Sequence, residues 1–139
     1  MTDYEALIAV QRSKLKKALA HLEYSYKKIA NLSYDPEKLD DESLETWEGF
    51  ASRFSRVADM FLMRYLRTQI LKDDPDFSGS VRDFVNQGEK LGLLDSAEAW
   101  MNIRELRNIT AHDYSEKELA FFFQRLKQEC PILLSIKLD

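Results

Sequence analysis

From Tyr4 to about Asn31 the apolar residues fall at Leu7, Ile8, Leu15, Ala18, Leu19, Leu22, Tyr26 and Ile29. Steps of three, four and seven place them on one face of a helix. Arg12, Lys14, Lys16, Lys17, Lys27 and Lys28 take the opposite face. The stretch Leu32 to Asp41 breaks the pattern, and Asp35-Pro36 within it predicts a turn. A second long helix is predicted from about Ser43 to Lys72. Its stripe runs through Leu44, Trp47, Phe50, Ala51, Phe54, Val57, Ala58, Phe61, Leu62, Tyr65 and Leu66. That stripe is wide enough to meet two neighbours at once.

Asp73-Asp74-Pro75-Asp76 ends the second helix, because the residue before Pro avoids helical angles. Ser80-Val81-Arg82-Asp83 resembles a helix start, with a hydroxyl cap and an acid three residues on. A short third helix then reaches about Leu91, where Gly92 is placed to cap its end. Asp95-Ser96 starts a fourth, with Glu98 adding favourable charge to its first turn. Trp100, Ile103, Leu106, Ile109 and Thr110 mark its buried side. Ser115-Glu116-Lys117-Glu118 is a capping box for a last helix. That helix carries Leu119, Phe122, Phe123, Leu126 and, after Pro131, Leu133; Pro131 is expected to kink or end it.

The pattern yields five helices, no convincing strand and no internal repeat. The long first, second, fourth and fifth helices suit an all-α, antiparallel four-helix bundle with the short third as an accessory. The 139 residues fit one domain spanning 1–139. Four glycines and three prolines leave little room for the turns of a sandwich or barrel. An apolar content of 45%, regularly spaced, excludes disorder over the whole chain.

A net charge of −4 gives no blanket attraction to nucleic acid. The charges are nevertheless unevenly spread. Residues 51–72 carry five bases against one acid, a local charge of +4, while 41–50 carry four acids and no base. The lysine face of the first helix and the arginines of the second are read first as solvated surfaces, and second as tracks for phosphate backbones. The single cysteine, Cys130, can form no internal disulfide. No metal site is expected, since His, Cys and carboxylates do not cluster. The absence of a Gly-rich phosphate loop argues against a nucleotide-hydrolysing fold, and no cofactor is expected. Met1-Thr2-Asp3-Tyr4-Glu5 lacks a secretory start, and Pro131-Ile132-Leu133-Leu134 is far too short to span a bilayer. A cytoplasmic protein without membrane contact is the expectation.

One segment concentrates candidate chemistry: Arg104-Glu105-Leu106-Arg107-Asn108-Ile109-Thr110-Ala111-His112-Asp113-Tyr114. On a continuous helix Arg107 and His112 would differ by about 140° in azimuth. They would not sit side by side unless the helix ends near His112. An imidazole near a helix C-terminus holds its proton more tightly and suits general acid–base work. The plainer reading is an ion-pair or capping arrangement. His21, on the polar side of the first helix, is blander still. Asp59 is read as a neutralising partner for Arg56 or Arg64.

The string Arg107-Asn108-x-x-x-His112-x-Tyr114 resembles the signature of the HEPN superfamily, and the added tyrosine resembles its HepT-like toxin branch. Gly92-Leu93-Leu94-Asp95 followed by Trp100 is also similar to the related nucleotidyltransferase substrate-binding proteins. Outside about Gly88 to Tyr114 the likeness is one of helical pattern alone. The resemblance implies a helical bundle that forms a homodimer, bringing two copies of the motif together across a two-fold axis. It implies a metal-independent endoribonuclease, in which a ribose 2′-OH attacks its own phosphate and leaves a cyclic phosphate and a free 5′-OH. His112 would move protons, Arg107 would hold the phosphate, and Asn108 would orient the phosphate or the imidazole. The implied partner is a minimal nucleotidyltransferase antitoxin that modifies Tyr114 and silences the toxin; the plainer role for Tyr114 is packing on Phe122 or Phe123. Two other readings stay open. One is a non-catalytic substrate-binding subunit of such a nucleotidyltransferase. The other is a dimeric interaction module whose interface Arg107 and His112 hold.

Overall fold

Local capping decides where each helix begins. In the computed structural model, which describes residues 2–109 and 115–138, α1 (Tyr4–Ile29) starts where the Asp3 carboxylate accepts from the Ala6 N–H at 3.0 Å. After a 3₁₀ turn over Pro36–Lys38, Asp40 caps the second helix by accepting from Ser43 N–H at 2.8 Å. This helix, α2, is a continuous rod in three parts: an α-helical Asp41–Met60, a π-helical Phe61–Tyr65 and an α-helical Leu66–Asp73. Ser80 and Asp83 exchange a complete capping box at the start of α3 (Val81–Lys90). Ser96 caps α4 (Ala97–Asn108), and Ser115 caps α5 (Glu116–Leu134). The described residues hold these five helices and no strand.

Gly92 ends α3 as the sequence suggests. Its φ of +74° is left-handed. Leu93 N–H reaches Gly88 O at 2.9 Å and Gly92 N–H reaches Glu89 O at 3.1 Å. That pair of bonds is the Schellman arrangement, which satisfies carbonyls the helix end would otherwise leave open.

The helices form a bundle. α2 runs antiparallel to α1: Trp47 Nε1 donates to Ser33 O at 2.8 Å, Arg53 Nη1 donates to Ser25 Oγ at 2.7 Å, and Lys72 lies 3.7 Å from Glu5. α2 is also antiparallel to α4, since Phe61 stacks on Trp100 at 4.4 Å while Asp59 meets Arg107. α5 closes the bundle by laying Phe123 on Trp47, with ring centroids 4.7 Å apart. Trp47, Phe50, Phe54, Phe61, Phe123 and Ile103 make the fully buried centre. Cys130 lies in the same core, where burial pushes its thiol up to about 12. It stays protonated and is no nucleophile.

The π turn explains a break that the stripe of α2 carries. At about 100° per residue, Leu66 and Ile70 would stand roughly 100° and 140° from Trp47 on a regular helix. Both are almost wholly buried, at 1% exposure. A π turn advances less per residue, so one wide turn rotates these two side chains back over the core. It leaves Met63 and Arg64 outward, and Met63 is 47% exposed.

Several expectations need correction. Pro131 does not end the last helix, which runs on to Leu134 with the proline ring exposed. Leu7, expected in the α1 stripe, is 40% exposed, and Ser25 is buried in its place among the core positions. α4 stops at Asn108, so Ile109 is exposed rather than buried. Thr110, His112 and Tyr114 lie outside the described residues. Among the described residues no helix is long and apolar enough to cross a membrane.

Candidate functional site

Arg104 and Arg107 sit three residues apart on α4, and Arg56 and Asp59 three apart on α2. The two helices pack antiparallel, and all four side chains line one groove between them. Trp100, Ile103 and Leu106 anchor α4 in the core, and that packing fixes the rotation that brings Arg107 to the seam. There its guanidinium grips Asp59 with both ends: Nε donates to Oδ1 at 2.9 Å and Nη2 to Oδ2 at 2.8 Å. Asp59 was expected to neutralise Arg56 or Arg64; it neutralises Arg107 instead. The cause is tertiary, since only packing brings α4 across α2.

The fork-to-fork geometry orients Arg107 rigidly. The hydrogen bonds that Arg107 donates to Asp59, more than the charge of Asp59, raise the arginine's proton affinity further. A guanidinium offers five N–H donors, of which Asp59 takes two, the only Arg107 side-chain bonds among the described residues. With the Arg107 and Asp59 side chains 34% and 46% exposed, the pair adds at most about 1 kcal/mol to stability. Its effect is on position.

Around the pair lies an open groove of about 580 Å³. Arg56, Arg64, Arg104 and Arg107 contribute four positive charges to its lining against the one carboxylate of Asp59, a local charge of +3. Met60, Leu62 and Met63 supply an apolar portion, and Asn108 stands at the end of α4. Arg56, Arg64 and Arg104 have no ion pair among the described residues. Unpaired like charges repel, so such a cluster costs stability unless an anion enters. Two of the four sequence-derived site residues, Arg107 and Asn108, therefore share this groove. His112 and Tyr114 fall outside the described residues, beginning four positions beyond the end of α4.

No protein-family model, curated protein or solved structure matches this chain.

Sequence reasoning missed Arg104 as a site residue and did not foresee the π turn that turns Met63 and Arg64 outward beside it. One signal was present: Arg104 stands three residues before Arg107, so both project to the same side of one helix. No group of His, Cys and carboxylates among the described residues is arranged to hold a metal ion. The groove's chemistry is that of a cationic cradle for phosphate or carboxylate, with arginine forks suited to planar and tetrahedral oxyanions.

A second surface flanks the same end of α4. Leu106, Ile109, Phe121 and Phe122 line an open apolar hollow of about 530 Å³ with Lys117, Glu118 and Arg125 among its lining. Phe121 is 62% exposed. The hollow borders both chain ends that flank residues 110–114.

Proposed function

We propose that this chain is a cytoplasmic HEPN-type ribonuclease toxin of the HepT-like branch, acting as a homodimer and controlled by a nucleotidyltransferase partner. The observation that carries the reading is the arginine groove. Arg107, first residue of the motif, is held in a fixed orientation by Asp59 and joined by three arginines that have no ion pair among the described residues. A structural ion pair needs one arginine; a phosphodiester needs a multi-donor cationic cradle. Substrate is RNA, and no metal takes part: Arg107, with Arg104 beside it, stabilises the charge that develops on the phosphate oxygens. His112, five residues on, takes the proton from the 2′-OH or returns one to the leaving 5′ oxygen. Asn108, at the groove's edge, orients the phosphate or the imidazole.

The antiparallel four-helix arrangement with α3 as accessory is taken as the HEPN arrangement. The two-fold axis belongs at the apolar hollow of Ile109 and Phe121. That hollow adjoins the segment carrying His112, so pairing there brings two motifs into one cleft. Transfer of a nucleotide to Tyr114 by the partner enzyme then adds phosphate charge and bulk at the cleft and excludes RNA.

Expression in a bacterial host tests the reading. Induction of the wild type arrests growth and fragments extracted RNA, and Tyr114→Phe does the same. Coexpression with a nucleotidyltransferase encoded beside it relieves the arrest for the wild type alone, and intact mass shows added nucleotide on that chain alone. Healthy growth and intact RNA from an unmodified wild-type dimer favour the non-catalytic substrate-binding subunit.

A further inference from the structure

Beyond the groove, α1 and α2 share a second cationic surface. Lys14, Lys17, His21, Tyr24 and Lys28 follow steps of three and four along α1, so all five lie on one face. From Lys14 to Lys28 that face extends roughly 21 Å at 1.5 Å per residue. Its position beside α2 is fixed by Arg53, whose Nη1 donates to His21 O at 3.1 Å and to the buried Ser25 Oγ at 2.7 Å. Arg53 is followed on α2 by Arg56, one helical turn on, and Arg56 already lines the groove. The cationic surface is therefore continuous from Arg104 and Arg107 on α4, across α2, to the lysines of α1. The acids of α1, Glu5 and Glu23, fall outside the spacing of this row and lie 3.7 Å from Lys72 and 3.5 Å from Lys27.

Tyr24 lies in the middle of this surface and is 61% exposed. Here Lys28 Nζ lies 5.5 Å and Arg53 Cζ 6.0 Å from its centroid. Arg53 is anchored by its two hydrogen bonds, whereas Lys28 is exposed and free to turn away. A flat partner can replace Lys28 over the ring, while the displaced ammonium neutralises a neighbouring phosphate. Cations beside an accessible aromatic face are the combination that holds a single strand without reading its sequence.

We infer that the α1–α2 seam is an extension track for single-stranded RNA, carrying the strand away from the Arg107 groove and stacking one base on Tyr24. The inference rests on the ribonuclease reading for the identity of the strand. It assigns to Tyr24, Lys17 and Lys28 a binding role distinct from the groove's.

Fluorescence anisotropy separates the two. The probes are a labelled 2′-O-methyl oligouridylate of twelve nucleotides, which cannot be cleaved by its own 2′ oxygen, and the corresponding trinucleotide, which fills the groove alone. Tyr24→Ala is expected to weaken the twelve-nucleotide probe about tenfold, leave the trinucleotide unchanged and leave the melting temperature unchanged. Tyr24→Phe, which keeps the ring, binds as wild type. Lys17→Ala with Lys28→Ala lowers the slope of log affinity against log salt by roughly one to one and a half. Equal binding of the longer probe to wild type and Tyr24→Ala, with loss in Arg104→Ala, overturns the track and leaves the groove reading in place. Tyr24-dependent binding by a chain that cleaves no RNA upholds the track and overturns the nuclease. Failure of both probes to bind the wild type overturns track and groove together, as does preferential binding to phosphatidylserine vesicles.

Discussion

Arg107→Ala is expected, on the proposed ribonuclease reading, to lower RNA cleavage by the purified chain on the order of 10²–10³-fold, the usual consequence of deleting one preorganised donor from an oxyanion site. The melting temperature should barely move, because the partly exposed Arg107–Asp59 pair is worth at most about 1 kcal/mol. Asp59→Asn sharpens the argument. It removes the groove's one negative charge, taking the local charge from +3 to +4, yet leaves a single acceptor in place of a two-pronged one. Binding of the anionic substrate should hold or tighten, while the loosened Arg107 lowers kcat by about tenfold, because positioning is what the pair supplies. Single-turnover kinetics on a labelled RNA measure both quantities. A fall in affinity with kcat intact would mean that Asp59 does not act through the orientation of Arg107.

The largest stability loss should come from Trp47→Ala. Its side chain is completely buried, stacks on Phe123 at 4.7 Å with 12° between planes, and meets Phe50 edge-on at 5.8 Å. Truncating a buried aromatic costs about 3–5 kcal/mol, and losing the bond from Nε1 to Ser33 O adds about 1 kcal/mol. Domains of this size are stable by only about 5–15 kcal/mol. Thermal unfolding followed by circular dichroism should therefore fall by well over 10 °C, or the variant should fail to fold. Trp47→Phe keeps most of the burial and loses the hydrogen bond, so its loss should be less than half as large. Equal losses for the two variants would place the stabilisation in the Ser33 contact and not in the α1–α2–α5 core.

The helices were legible because their determinants are local. Ser80, Ser96 and Ser115 announce starts, and Gly92 announces an end, by chemistry confined to a few residues. The α2 stripe was legible up to Leu66 for the same reason. The π turn was not, because a stripe that drifts can be read as merely wide until the burial of Ile70 shows the rotation. Asp59 was misassigned for a tertiary reason: on its own helix Arg56 is its neighbour at i−3, whereas its partner, Arg107, lies 48 positions away. Ile109 fits the apolar spacing of α4, but that helix ends at Asn108 and the spacing no longer applies. Pro131 is tolerated inside α5, with its ring on the exposed side of the helix. The candidate site divides in the same way. Arg107 and Asn108 were readable from a motif, while Arg104 and Asp59 became visible only when α2 and α4 were set face to face.

End-group analysis of cleavage products tests the central claim most directly. Purified protein, wild type against His112→Ala, is incubated with RNA in excess EDTA. The account predicts fragments from the wild type that end in 2′,3′-cyclic phosphate and begin with 5′-OH, and no fragments from folded His112→Ala. Full cleavage by the variant, or wild-type cleavage that EDTA abolishes, would contradict it.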